Sequence, residues 1–107
     1  MYINNIEVNF SITDVNHAEA FEKALQSMEV TEKKLKDDLV KKKITYIEFM
    51  RQGISMLKKF FVDATGTDVI GECTDYMVAQ EHYFAFLGEI GKAKERLVAP
   101  YSADRVR

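Results

Sequence analysis

Cysteine occurs once in this chain, at position 73, so no disulfide can close within it. That usage favours a reducing compartment. Proline also occurs once, as Pro100, and tryptophan is absent. No apolar run approaches the ~18–20 residues needed to span a membrane. The first ten residues, MYINNIEVNF, lack the basic and apolar regions of a signal peptide. These absences together lead to the expectation of a cytoplasmic protein. There is no basic excess either: 15 Lys and Arg stand against 17 Asp and Glu, for a net charge of −2. A domain with that balance is a poor holder of nucleic acid.

The chemistry-bearing residues are equally sparse. His17 and His82 are the only histidines, and a helical zinc site wants two of them one turn apart. Glu81-His82 is a suggestive pair without a third ligand at useful spacing. Cys73 has no C-x-x-C partner, and its nearest possible base is His82. Ser55 lacks a surrounding G-x-S-x-G. Gly66 and Gly71 have the outline of a phosphate loop but lack the G-K-[ST] ending and a preceding strand. The expectation is no catalytic residue, no metal, no cofactor, and so no enzyme.

What is present is ordinary globular material. The chain has 107 residues, 47% hydrophobic and 30% charged, which suits one domain with one core. Its organising stretch is Thr45–Thr65. Thr45-Tyr46-Ile47-Glu48 fits the S/T-x-x-E capping box that starts a helix. Behind it Tyr46, Ile47, Met50, Ile54, Leu57, Phe60, Phe61 and Ala64 recur at steps of three and four, the spacing of one helical face. Phe49, Met56 and Val62 widen that face, so the helix should lie between two neighbours. Gly66 suits the positive φ that ends a helix. Gly53 sits mid-helix and costs about 1 kcal/mol relative to Ala, which close approach of another backbone would explain.

Before this segment, Ile6, Val8, Phe10 and Ile12 alternate with polar residues, as in a strand. Asn4-Asn5 offers a tight turn after Tyr2-Ile3, so a short hairpin or bent single strand is expected. No other segment reads as a convincing strand. A lone ribbon is marginal in water, so Ile6, Val8 and Phe10 are expected either to pack on helices or to pair with a second copy. A first helix, about 14–42, starts at a Thr13-Asp14 cap. It should be packed in its first half and wet in its second, where Glu32–Lys36, Lys33–Asp37, Lys34–Asp38, Asp37–Lys41 and Asp38–Lys42 are opposite charges at i,i+4. That wet half, 32–43, either turns into the next helix or projects as an arm.

A loop follows at Gly66–Gly71, and Thr74 and Asp75 can cap a last helix, about 74–98. Its apolar face includes Tyr76, Met77, Tyr83, Phe84, Leu87, Ile90 and Leu97. Ala99-Pro100 should end it, leaving 99–107 as a mobile tail. The fold class is thus mainly α: a short N-terminal β-strand or hairpin, then three to four helices in a bundle, forming one α-rich domain over 1–98.

The large apolar residues outnumber what a three-helix monomer comfortably covers. Met50, Met56, Phe60, Phe61, Met77, Phe84 and Phe86 are therefore candidates for a protein-binding groove, since Met adapts to varied partners and surplus apolar surface marks interfaces. Their ordinary alternative is the core.

The opening Ile3-Asn4-Asn5, followed by Asp14, Ala18, Glu19, Phe21 and Glu22, resembles small proteins of tail-gene clusters in siphophages and prophages of Gram-positive bacteria. Those begin with an I-N-G-x-x-Y/F-x-F-type strand and continue into a D-x-x-x-A-E-x-[FY]-E-like helix start; Asn5 stands where their Gly would be. The likeness covers about the first quarter of the chain. It implies a phage or prophage tail-morphogenesis protein: a small, cytoplasmic, non-enzymatic, homo-oligomeric tail assembly chaperone that covers amphipathic helices of a tape-measure protein. The competing expectation is a structural or regulatory homo-oligomeric helical interaction protein with no client helix. A third, nucleic-acid binding through Lys33–Lys43, has the net charge against it.

Overall fold

Asn4 and Asn5 both hold left-handed backbone, with φ of 54° and 60°, a conformation asparagine tolerates better than most residues. Two such residues in succession make a hairpin turn of the primed type, matched to the twist of paired strands. Across it β1 (Tyr2–Ile3) pairs antiparallel with β2 (Ile6–Glu7). The ladder extends one step, with the Val8 amide donating to the Met1 carbonyl at 2.8 Å. The computed structural model describes the backbone of residues 1–106 and the side chains of residues 1–101.

The ribbon does not reserve its apolar face for another molecule. Ile3, Val8 and Phe10 are buried in the chain's own core, and Ile6 is half-buried. The Asn4 side-chain amide donates to the Val69 carbonyl at 3.0 Å, tying the turn to a distant loop. Self-association through Val8 and Phe10 is therefore corrected: intramolecular packing has already taken the surface it would need.

Asp14 accepts from the amides of Asn16 and His17 and starts α1 (Val15–Val40). Phe21, Ala24, Met28 and Leu35 are its buried residues, spaced on one face. The second half of α1 is not a projecting arm. Leu35 is buried and Leu39 half-buried, so the helix stays against its neighbour to the end. Its outer side carries three of the expected ion pairs: Lys36–Glu32, Lys34–Asp38 and Lys41–Asp37, all at 3.1–3.3 Å. These are exposed, so each adds only a few tenths of a kcal/mol.

α1 ends in a Schellman motif. The Lys43 amide donates to the Asp38 carbonyl and the Lys42 amide to the Leu39 carbonyl. The motif needs a left-handed residue, and Lys42 supplies it at φ 59°. A β-carbon there is strained by about 1 kcal/mol. Lys42→Gly is expected to raise stability by about 0.5–1 kcal/mol, net of the extra freedom glycine gives the unfolded chain. A higher midpoint in urea with unchanged slope would show it.

The short turn at 41–45 sends the chain back as α2 (Tyr46–Thr65), antiparallel to α1. The Thr45 hydroxyl accepts from the Glu48 amide at 3.1 Å, one half of the capping box. Gly66, at φ 76°, closes the helix with its amide on the Val62 carbonyl. The buried face runs through Gly53, Met56, Leu57, Phe60, Phe61 and Ala64.

The following loop is held by Asp68. One carboxylate oxygen accepts from the Gly71 amide at 2.9 Å, and the other pairs with Lys58 at 3.1 Å. The Gly71 amide first, and Lys58 beside it, hold the Asp68 carboxyl below its ordinary value, against a smaller opposing effect of burial. A depressed carboxyl contributes stability that is complete above its unfolded pKa, about 3.9, and is lost as pH falls through the folded one. Asp68→Asn should therefore lower stability at neutral pH and flatten its decline below pH ~4. Urea titrations across that range measure both.

Asp75 accepts from the amides of Met77 and Val78 and starts α3 (Tyr76–Val106). The helix does not end at Ala99. It runs on through Pro100 to Val106, so the segment expected as a mobile tail continues the helix; Arg107 lies outside the described residues. Proline's fixed φ is itself helical, and the cost is a missing backbone bond together with crowding of the carbonyl one turn back by the ring.

The elements meet in a cluster of phenylalanines. Phe86 of α3 has its ring centroid 5.1 Å from Phe10, 6.0 Å from Phe21 and Phe60, and 5.4 Å from Phe61. Beyond this cluster the molecule thins out. Its radius of gyration is 16.2 Å, against about 13 Å for a compact domain of ~100 residues. The excess is the distal part of α3, whose last buried side chain among the described residues is Ile90. From Gly91 to Tyr101 only Ala93 is even half-buried.

Candidate protein-binding surface

The apolar stripe of α2 outruns the elements that cover it. Leu57, Phe60, Phe61 and Ala64 are buried, Met50 and Ile54 are half-buried, and the first turn is bare. Tyr46 is 72% exposed and Ile47 62%. α1 reaches this level only through Leu39 in its last turn, and α3 begins beside it with Met77, 64% exposed. The Thr45 cap fixes the first turn of α2, and the Asp75 cap fixes the first turn of α3. Three helix ends thus hold a set of large apolar side chains at the surface.

Two shallow cavities of about 310 Å³ open there, and Met50 lines both. One lies between Leu39, Tyr46, Phe49 and Met77; the other reaches from Ile47 past Ile54 to Cys73. The wall between them is a flexible thioether, which adapts to the shape of what it meets. Tyr76 closes the first cavity. Its hydroxyl accepts from the Gln80 side chain at 3.0 Å, and burial, with Glu32 nearby, pushes its pKa above the ordinary tyrosine value.

The seven sequence candidates separate cleanly. Met50 and Met77 come together at this surface. Met56, Phe60, Phe61 and Phe86 are core residues, and for Phe61 and Phe86, which line none of these cavities, the assignment to partner binding is corrected. They fill the space between α1, α2 and α3, and only Met56 and Phe60 reach an open wall, in a groove between α1 and α2. Phe84 is 59% exposed, but on the outer side of α3, outside the walls of either cavity. The stripe's spacing predicts a core-facing place for Tyr46 and Ile47, and both are exposed. The sign of their exposure is the position itself, in the first turn of a helix whose antiparallel neighbour stops short.

A second groove, about 260 Å³, runs between α1 and α2 with Met28, Met56 and Phe60 in its wall. The polar chemistry goes elsewhere. His17 accepts from the Ser11 amide through Nδ1 at 2.9 Å and stacks on Phe10. Cys73 donates to the Asp75 carbonyl, and the cavity it lines has no histidine in its wall. Among the described residues no group of His, Cys, Asp and Glu is placed to hold a metal ion.

A protein-family model matches residues 4–106, from the hairpin turn to the end of α3. The chain belongs to DUF6673. That family is described as one of unknown function. No curated protein and no solved structure matches the chain. The DUF6673 match takes in the whole apolar surface, all three helices and the loop that carries Asp68. No helix of the described residues is long and apolar enough to cross a membrane.

Proposed function

We propose that this protein is a non-enzymatic tail-morphogenesis protein of a phage or prophage, a tail assembly chaperone working in the host cytoplasm. Its client is an amphipathic helix of a tape-measure protein, held against the Tyr46, Ile47, Met50 and Met77 surface. The observation that carries the reading is this uncovered, Met-centred surface at three capped helix ends. Helix-in-groove recognition needs such a surface: anchors at i, i+3 and i+4 of the client enter adjacent apolar hollows. Two hollows sharing one Met wall accept two anchors a turn apart. The charge of residues 32–43 favours this reading over nucleic acid, because Lys34, Lys36 and Lys41 are already paired with carboxylates.

The test is co-purification of the chain with tape-measure fragments encoded beside its gene. Met77→Asp should abolish capture while leaving thermal stability within about 0.5 kcal/mol, since Met77 is a surface residue. Undiminished capture by Met77→Asp, or failure of every tape-measure fragment to bind the unaltered chain, removes the proposal.

A further inference from the structure

Between Gly91 and Tyr101 the side chains of α3 are exposed except for a half-buried Ala93. An isolated helix of about 12–15 residues is marginal in water even with good helix formers. This one contains Gly91 and Pro100 and follows Ile90, the last buried residue among those described. A packed neighbour is what would hold it.

Met77, Phe84, Gly91 and Val98 recur every seven residues along the outer side of α3. All four are exposed. Leu87 and Tyr101 flank the same stripe, half-buried and exposed respectively. A seven-residue repeat is one half of the seam by which two helices pair, and the companion positions here are Gln80, Leu87, Lys94 and Tyr101. The charge on α3 is also divided. Its first half, to Gly91, carries Glu81 and Glu89 and no Lys or Arg. Its second half carries Lys92, Lys94 and Arg96 ahead of the chain end, with Glu95 the only acid up to Tyr101. Parallel pairing would set like charge beside like. Antiparallel pairing sets the acidic half of each helix beside the basic half of the other.

We propose that α3 pairs antiparallel with α3 of a second copy, about a two-fold axis near Gly91. In that register Phe84 of each copy lies against Val98 of the other. Gly91 meets its own equivalent at the axis, where the missing side chains let the backbones approach. The stripe is self-complementary, so the interface is isologous and closes at two copies. Each copy's exposed distal helix is supported by the proximal, body-anchored half of the other. This pairing does not rest on the tape-measure reading: Tyr46, Ile47 and Met50 lie outside it, and of that surface only Met77 falls on the stripe, two heptads from the axis at Gly91.

Sedimentation of the full chain at tens of micromolar should find a reversible dimer that weakens as salt is raised. Val98→Asp, far from the core, should raise the dimer dissociation constant by roughly a hundredfold with the helical circular dichroism of the body retained. In a Cys73→Ser background, Gly91→Cys should give a disulfide-linked dimer under mild oxidation. Ala85→Cys, on another side of the helix, should not. A strict monomer, a dimer indifferent to Val98→Asp, or equal cross-linking at positions 85 and 91 would each overturn the proposal.

Discussion

Phe86→Ala is expected to cost about 3–5 kcal/mol, the range for deleting a fully buried phenylalanine. Phe86 is fully buried and touches rings from the ribbon, from α1 and twice from α2. α3 approaches α1 through side chains and not through close backbones. Removing this one ring therefore empties the point where all the elements meet. A domain of this size has about 5–15 kcal/mol in total, so the variant should unfold tens of degrees lower. Phe84→Ala, two positions earlier, should change stability by about 0.5 kcal/mol or less, measured at a dilution where the chain is monomeric. Urea unfolding followed by circular dichroism compares the two. Equal costs would mean that α3 is rotated from the orientation described here.

That pair of neighbours also shows what the sequence could and could not reveal. The helix starts were legible because capping is local: Asp14, Thr45 and Asp75 each bond amides two or three residues ahead. The end of α2 was legible for the same reason, since Gly66 takes the left-handed conformation itself. The hairpin turn survived the absence of glycine because two asparagines reach the same backbone region. Orientation was harder. On α3 the apolar residues surround much of the helix, so Phe84 and Phe86 are equally plausible inward residues. Ala79 at the buried centre gives no hydrophobic signal of its own. The end of α1 misled in the other direction. Its ion pairs suggested a helix standing free in water, yet Leu35 and Leu39 suffice to keep it on α2.

The binding surface was half legible for a related reason. Met50 and Met77 stand out by residue type, and their meeting depends on where three helices end. Periodicity alone carries no information about length of cover. Tyr46 and Ile47 keep the stripe's spacing while the neighbour that would bury them has already turned. Surplus apolar surface in this chain is therefore a product of unequal helix ends. The same inequality leaves α3 largely bare from Gly91 to Tyr101, so one physical cause produces both uncovered regions.

Gly53→Ala is the second large effect expected, and its sign depends on one ring. A β-carbon on Gly53 would run into Tyr76, falling 3.0 Å from Cδ2 and closer still to Cε2. The approach that explains this mid-helix glycine is thus by an aromatic side chain, where a backbone was anticipated. Tyr76 is not free to swing away. Its ring rests edge-on against Phe49 at 5.8 Å, and its hydroxyl is held by Gln80. Alanine in an α-helix is otherwise favoured over glycine by about 1 kcal/mol. Overpacking of a formed contact costs about 1–3 kcal/mol, so Gly53→Ala should be net destabilising and should loosen the start of α3 from α2. In a Tyr76→Ala background the clash disappears and only the helix preference remains. There the same substitution should stabilise, by about 0.5–1 kcal/mol. The double-mutant cycle therefore changes sign across Tyr76. A Gly53→Ala effect of the same sign and size in both backgrounds would show that Tyr76 does not sit over Gly53, and the apolar surface would lose the ring that closes its first cavity.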